Sequence, residues 1–262
     1  MRLSSPFFFT HLPAKVPADL LKAFTKTAVG MGLLFDIDTM AADSVADYSG
    51  RLITDIESDV RSSLKSARLE RFMSGELAAP MARERAKGGV TLLLRAPASR
   101  GAIATIIRNL DALAAFAAIL LDEDEPNSDV QLEAAVSLLD RELKQRGMRG
   151  RFNIIAEGNG VRGSDDVFKI VALGADCVGL GRSALLAIGA GEGDAEIVLD
   201  SRISQRLENF VSAAQKDIKL LAGAAGISNI SSTLTGNREL LRSVDLDSVT
   251  RTELGVKPAG VA

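Results

Sequence analysis

The chain is poor in the residues on which many chemistries depend. Its 262 residues include one cysteine, Cys177. A single thiol excludes an internal disulfide framework, a zinc quartet and a thiolate-held iron–sulfur cluster. With no partner in the chain, Cys177 reads as a small buried apolar residue. Histidine is equally scarce: His11 is the only one, and it lies in an N-terminal stretch beside Pro13 that suits packing better than acid–base work. Long apolar runs are missing. The longest uncharged ones, such as Ala112 to Leu121, are about half of what a bilayer requires. The opening MRLSSPFFFTHLP meets a proline before it can form an export core. A positive charge excess is absent too: the formal net charge is -3, which favours neither nucleic acid nor an anionic membrane. These absences lead us to expect a soluble cytoplasmic protein, with no nucleic-acid or membrane partner.

What is present is a repeat of one pattern. The composition, 47% hydrophobic and 25% charged, is that of a globular protein, and an α/β barrel fills about 250 residues as one unit. Short apolar runs end in a charged or glycine-containing step and give way to a helical stretch. FFFT (7–10), GLLFDID (32–38), RLITDIESD (51–59), a weaker SARLERFM (66–73), VTLLLRAP (90–97), FAAILLDEDEP (116–126), FNIIAEGNG (152–160) and DCVGLGR (176–182) make eight candidate strands. Between them, Leu20, Leu21, Phe24, Ala28 and Met31 share a helical face, as do Ile103, Ile106, Ile107 and Leu110, and again Leu132, Val136, Leu139 and Leu143. Strands alternating with helices imply parallel strands and right-handed crossovers.

Eight such units predict an α/β fold, a (β/α)8 TIM barrel over residues 1–190. Its strand ends bring Asp36, Asp38, Asp55, Glu57, Arg95, Asp122, Glu123, Glu157 and Arg182 to one mouth. Residues 191–262 read as a helical C-terminal extension packed on the barrel. Ile203, Leu207, Phe210, Val211, Ala214, Ile218 and Leu221 mark its long amphipathic helix, and Asn237 is the expected N-cap of a shorter one.

Two glycine turns stand close together, Gly158–Asn159–Gly160 and Gly179 to Arg182. Between them Ser164 is the expected helix cap, Asp165 and Asp166 suit its dipole, and Gly174 closes the helix. Glycine turns can be tight connections and nothing more. Following barrel strands seven and eight, they can also grip a phosphate, with bare backbone and free N–H groups as donors and Arg182 as a charged contact. GLGRSA (179–184) with Asp200 also fits a dinucleotide fingerprint, but the strand before it is very short and the chain after Asp200 reads as helix.

The stretch IIAEGNGVRGSDDVFKIVALGADCVGLGRSALLAIG resembles the flavin-site segment of the FMN-binding glutamate synthase domain. RLENFVSAAQKDIKLLAGAAGISNI resembles the helical segment beyond that barrel, and Arg149 in LKQRGMRGRF fits the family's phrase before strand seven. The resemblance runs from about Leu132 to the end. It implies bound FMN with Gly158, Asn159, Gly160, Gly179, Gly181 and Arg182 as cofactor-binding residues. It also implies Arg95 as the catalytic positive charge near the flavin, where the family uses lysine; the plain alternative for Arg95 is a surface residue at a strand end. The implied function is an FMN-dependent oxidoreductase that reduces an imino or keto acid. Its partners would be a small-molecule substrate, an electron-donor protein or glutaminase subunit, and further copies of the chain as a homo-oligomer.

The sequence departs from the family in places. DEDEPNSD (122–129) replaces a glycine-rich loop after strand six, Asn159 replaces a glycine, and the cluster cysteines are missing. A catalytically degenerate flavin- or phosphate-binding subunit, or a flavin-free barrel acting on a phosphorylated small molecule, are the alternatives. DEDEP would suit a divalent cation, but an acidic run is more often a solvated loop, and no metal ligands are assigned.

Overall fold

The computed structural model describes residues 5–10, 12, 17–38, 51–58, 62–190 and 202–260. His11 and Asp200 lie outside the described residues, as does the side chain of Asp38. In chain order the barrel elements are β1 (Phe7–Phe9), α1 (Ala18–Met31), β2 (Phe35–Asp38), β3 (Leu52–Asp55), β4 (Leu64–Arg68), α2 (Leu69–Met73), α3 (Ala78–Ala86) and β5 (Thr91–Pro97). They continue with α4 (Arg100–Arg108), β6 (Ala118–Asp122), α5 (Leu132–Gln145), β7 (Asn153–Glu157), α6 (Ser164–Leu173), β8 (Cys177–Leu180) and α7 (Arg182–Ala187). The eight strands pair in parallel in sequence order, and β8 closes on β1 with Phe8 opposite Gly179. This is a (β/α)8 TIM barrel with a C-terminal helical extension.

Alternation along each strand separates two cores. Phe8, Leu34, Ile53, Leu64, Leu93, Ala118, Leu120, Ile155 and Cys177 point inward and fill the barrel. Their neighbours, such as Leu92, Leu94, Ile119, Leu121, Ile154 and Ala156, point outward into the core shared with the helices. There Phe9 meets Phe24 of α1 edge to face, with ring centroids 5.0 Å apart. Continuing the inward series by two residues carries Leu93 to Arg95, Leu120 to Asp122 and Ile155 to Glu157. The register sets Pro97 opposite Asp122 and Asp122 opposite Glu157. Period two therefore turns an apolar plug into a charged layer at the C-terminal mouth.

Three local expectations change. SARLERFM is a strand only as far as Arg68; Leu69–Met73 is helix. Gly163, not Ser164, is the N-cap of α6, and the Ser164 hydroxyl donates to Asp217 instead. Asn237 makes no side-chain cap and is followed by a single 3-10 turn, Arg238–Leu240. Gly174 does close α6, at φ 139°.

The extension comprises α8 (Ile203–Ala224), β9 (Arg242–Ser243), α9 (Ser248–Leu254) and β10 (Lys257–Pro258). Helix α8 buries Ile203, Leu207, Val211, Ala214, Ile218 and Ala222 and packs on α1 and α6. Asp140 of α5, fully buried, ties the rest of the tail down. It accepts from Arg149 Nε at 2.8 Å and from Arg238 Nη2 at 2.9 Å. Arg149 also reaches Asp176 and the carbonyls of Phe152 and Gly174, and so joins the ends of α5, β7 and α6. No helix among the described residues is long and apolar enough to cross a membrane.

Candidate functional site

The mouth of the barrel is built around one guanidinium. Arg95 is 4% exposed, so it is not a surface residue at a strand end. Its Nη1 donates to Asp122 Oδ2 at 2.7 Å and to Glu157 Oε1, and its Nη2 donates to Asp36 Oδ2. Thr10, the residue after β1, donates its hydroxyl to the other oxygen of Glu157 at 2.6 Å. Strands β2, β5, β6 and β7 thus send one charged side chain each to a common point. Among the described residues, the carboxyls of Asp36, Asp122 and Glu157 share this guanidinium.

Burial pushes the Glu157 carboxyl well above its ordinary value of 4.5. Arg95 opposes that shift, and the charges of Asp36 and Asp122 add to it. A carboxyl raised in the folded state contributes stability that is present below 4.5 and is lost as the pH rises through the folded-state value. Glu157→Gln keeps the shape and removes that titration. Its Tm is expected to gain on the wild type progressively from pH 5 to pH 9, measured by thermal denaturation across that range. Parallel pH profiles for the two proteins would show that Glu157 does not titrate as described.

The glycine turn lies beside this layer, after β7. Gly158 and Gly160 do not have positive φ, so what requires glycine there is space. A Cβ at Gly158 would stand 2.7 Å from Glu123 Oε2, and one at Gly160 would stand 3.2 Å from the same atom. The backbone N–H of Asn159 donates to Asp124 Oδ2 at 2.8 Å. The turn thus holds carboxylate oxygens against bare backbone, the same demand that a phosphate makes. Gly181 is the N-cap of α7, and Arg182, its first residue, is exposed.

Gly179 has a different position. It is in β8, where a Cβ would lie 2.4 Å from Thr10 Cγ2 and 2.9 Å from Glu157 Cβ. Its lack of a side chain makes room for the Thr10–Glu157 contact inside the barrel.

The remaining strand-end charges disperse. Asp55 accepts from the backbone of Glu57, whose own carboxylate turns outward to Arg71. Arg68 pairs with Glu125 beside a cavity of about 280 Å³, lined by Arg95, Ser99, Thr105 and Asn127 among others. Cys177 is buried in the barrel interior, and burial pushes its thiol up to about 12, so it offers no nucleophile at neutral pH. The sequence places Asp36, Arg95, Asp122 and Glu157 at one mouth without pairing them, gives Thr10 no role there, and offers Asp124 only as part of the acidic run DEDEP.

Comparison with known proteins bears on the same segment. Residues 126–192 match the conserved region in glutamate synthase. The archaeal glutamate synthase (NADPH) of Methanocaldococcus jannaschii is 38% identical over 149 residues, which are 50% of this chain and 29% of that protein. The archaeal-type glutamate synthase (NADPH) of Thermotoga maritima is 36% identical over 151 residues, 51% of this chain and 29% of the relative. The match thus spans less than a third of those proteins. Crystal structures of mandelate oxidase, one with 3,3-difluoro-2-hydroxy-3-phenylpropionic acid, share the fold with a TM-score of 0.65 at 16% identity. That superposition covers 91% of this chain and 78% of the oxidase. The glycine turn, α6, β8 and the start of α7 therefore make up a glutamate synthase-like region at the C-terminal mouth of a TIM barrel.

Proposed function

We propose that this barrel binds FMN and serves as a flavin-linked oxidoreductase acting on an imino or keto acid. The observation that carries the reading is the anion-holding glycine turn, placed after β7 within the segment similar to glutamate synthase. The turn Gly158–Asn159–Gly160 and the start of α7 at Gly181 and Arg182 would hold the phosphate end. FMN, when bound, supplies the two-electron redox chemistry. The chain's own residues set its surroundings: Thr10, Glu157 and Arg95 form the floor of the mouth, where Glu157 accepts from Arg95 at Oε1 and from Thr10 at Oε2. Electrons would come from a partner protein, and a glutaminase subunit or further copies of the chain would complete the assembly.

One observation favours a second reading. Arg95 is the positive charge meant for the flavin, yet it is engaged by Asp36, Asp122 and Glu157. A barrel that binds flavin or phosphate without turnover is consistent with that pairing.

The visible absorption spectrum of the purified protein, with mass spectrometry of what heat releases, tests the proposal. Yellow protein releasing FMN supports it, and reoxidation by candidate imino and keto acids then separates the two readings. Colourless protein that cannot be reconstituted overturns both flavin readings. Gly160→Asp adds a carboxylate to the turn and is expected to weaken FMN retention at least tenfold while the fold survives. Unchanged retention would move the phosphate elsewhere.

A further inference from the structure

The residues after β6 fill the place where the proposed phosphate would lie. Glu123 and Asp124 follow Asp122 directly, and the two carboxylates grip the glycine turn from the neighbouring strand. Asp124 Oδ2 accepts from Asn159 N at 2.8 Å, while Glu123 Oε2 takes the space that a Cβ at Gly158 or Gly160 would need. The other oxygen of Glu123 accepts from Leu132 N at 3.2 Å, at the start of α5. The loop is held in this pose by its own bonds. Ser128 donates to the carbonyls of Asp122 and Glu125 and accepts from Ala98 N, and Asn127 takes the left-handed backbone at φ 69°. Glu123 is half-buried, and that burial raises its carboxyl.

We infer that the acidic β6–α5 loop is an internal competitor for the phosphate cradle. Asp124 occupies the Asn159 N–H of the glycine turn and Glu123 fills the space beside its two glycines, so a phosphate-bearing ligand binds only by displacing them. The argument rests on the proposed anion site and is a statement about its regulation. An incoming phosphate carries two negative charges at neutral pH, and it would meet two carboxylates at contact distance in a half-buried site. Both the occupied N–H and the like-charge repulsion act against it. Neutral amides at the two positions keep the shape of the loop, remove the repulsion and weaken the bond to Asn159 N, since a charged acceptor binds an N–H more strongly than a neutral one. Any change that draws the loop off the turn, such as a partner that binds its carboxylates, would open the site.

The test is calorimetric titration of the full chain with FMN and, separately, with inorganic phosphate. Wild type, Glu123→Gln/Asp124→Asn and the single variant Asp124→Asn are compared at low salt. The double variant is expected to bind both probes at least tenfold more tightly than the wild type, with the single variant between them. Folding of each variant is checked by thermal denaturation. Equal affinities in the wild type and both variants would overturn the competitor role and leave the flavin reading intact. Tighter phosphate binding in the variants without any FMN binding would support the competitor role and sink the flavin reading. Absence of binding for both probes in all three proteins would overturn both.

Discussion

Replacing Arg95 with methionine is expected to destabilise the fold by about 3–5 kcal/mol, the usual effect of removing one partner from a buried ion network. For a domain of this size that corresponds to a fall in Tm of roughly 6–20 °C. The physical reason lies in the layer it joins. Asp36, Asp122 and Glu157 are at most 5% exposed as side chains, and Arg95 is the cation that faces all three. Methionine fills a similar volume but leaves three buried carboxyls without that counter-charge. Burial already raises the Glu157 carboxyl and Arg95 opposes that rise, so without Arg95 the loss should be smallest in acid and grow toward neutral pH. Thermal denaturation at pH 5 and pH 8 measures both effects. A Tm within 2 °C of the wild type at pH 8 would show that Arg95 is not the centre of the layer. Arg95→Lys keeps the charge but loses the fork that reaches three acceptors at once, and it should lie between the two. Flavin retention in Arg95→Lys separates a purely structural arginine from one that also acts on the ligand.

The second large effect is expected at Asp140. Its carboxylate is fully buried and receives Arg149 and Arg238, with Lys144 Nζ at 2.9 Å. Arg149 arises before β7 and Arg238 from the C-terminal tail, so one carboxylate fastens the tail to the barrel. Asp140→Ala leaves two part-buried guanidinium groups short of an anion and opens a void beside Gly174, whose Cβ position lies 2.5 Å from Asp140 Cβ. A cost of about 3 kcal/mol or more follows from the broken buried pairing. The damage should be local at first. Cleavage by a protease within residues 225–260 should accelerate well before the barrel itself unfolds, as read by mass spectrometry of early fragments. Simultaneous loss of tail and barrel would mean that Asp140 supports the whole fold and not a docking contact.

Much of this architecture is legible in the sequence because it is set by local periodicity. LLL in β5 and AILL in β6 are apolar on both faces, as strands covered on both sides must be, and the helical spacing in α1, α4 and α5 marks the covering layer. SARLERFM misled at its second half because an apolar run of that length suits either a strand or a helix, and Leu69 and Phe72 repeat at helical spacing. The N-cap readings at Ser164 and Asn237 failed for a related reason. Both residue types favour caps, but the hydroxyl of Ser164 found a partner on α8, and the chain after Asn237 makes a single 3-10 turn before a short strand.

The sequence by itself determined that the chain alternates strand and helix eight times, that charges collect at strand ends, and that two glycine turns follow the last two strands. These are properties of neighbours along the chain. Which charges meet was decided only by barrel closure. The stagger of β2, β5, β6 and β7 places Asp36, Arg95, Asp122 and Glu157 at one height, although 27 residues separate Arg95 from Asp122 and 62 separate it from Glu157. Glu57, equally plausible from its position, turns outward to Arg71, and Arg182 stands exposed as the first residue of α7. Gly179, read from the sequence as a phosphate residue, also leaves the gap that admits Thr10 beside Glu157, which only the closed barrel shows. The seating of Glu123 and Asp124 on the glycine turn was invisible in the same way. Contact between the ends of two adjacent parallel strands depends on register and on the twist of the barrel, and neither is written in the residues that touch.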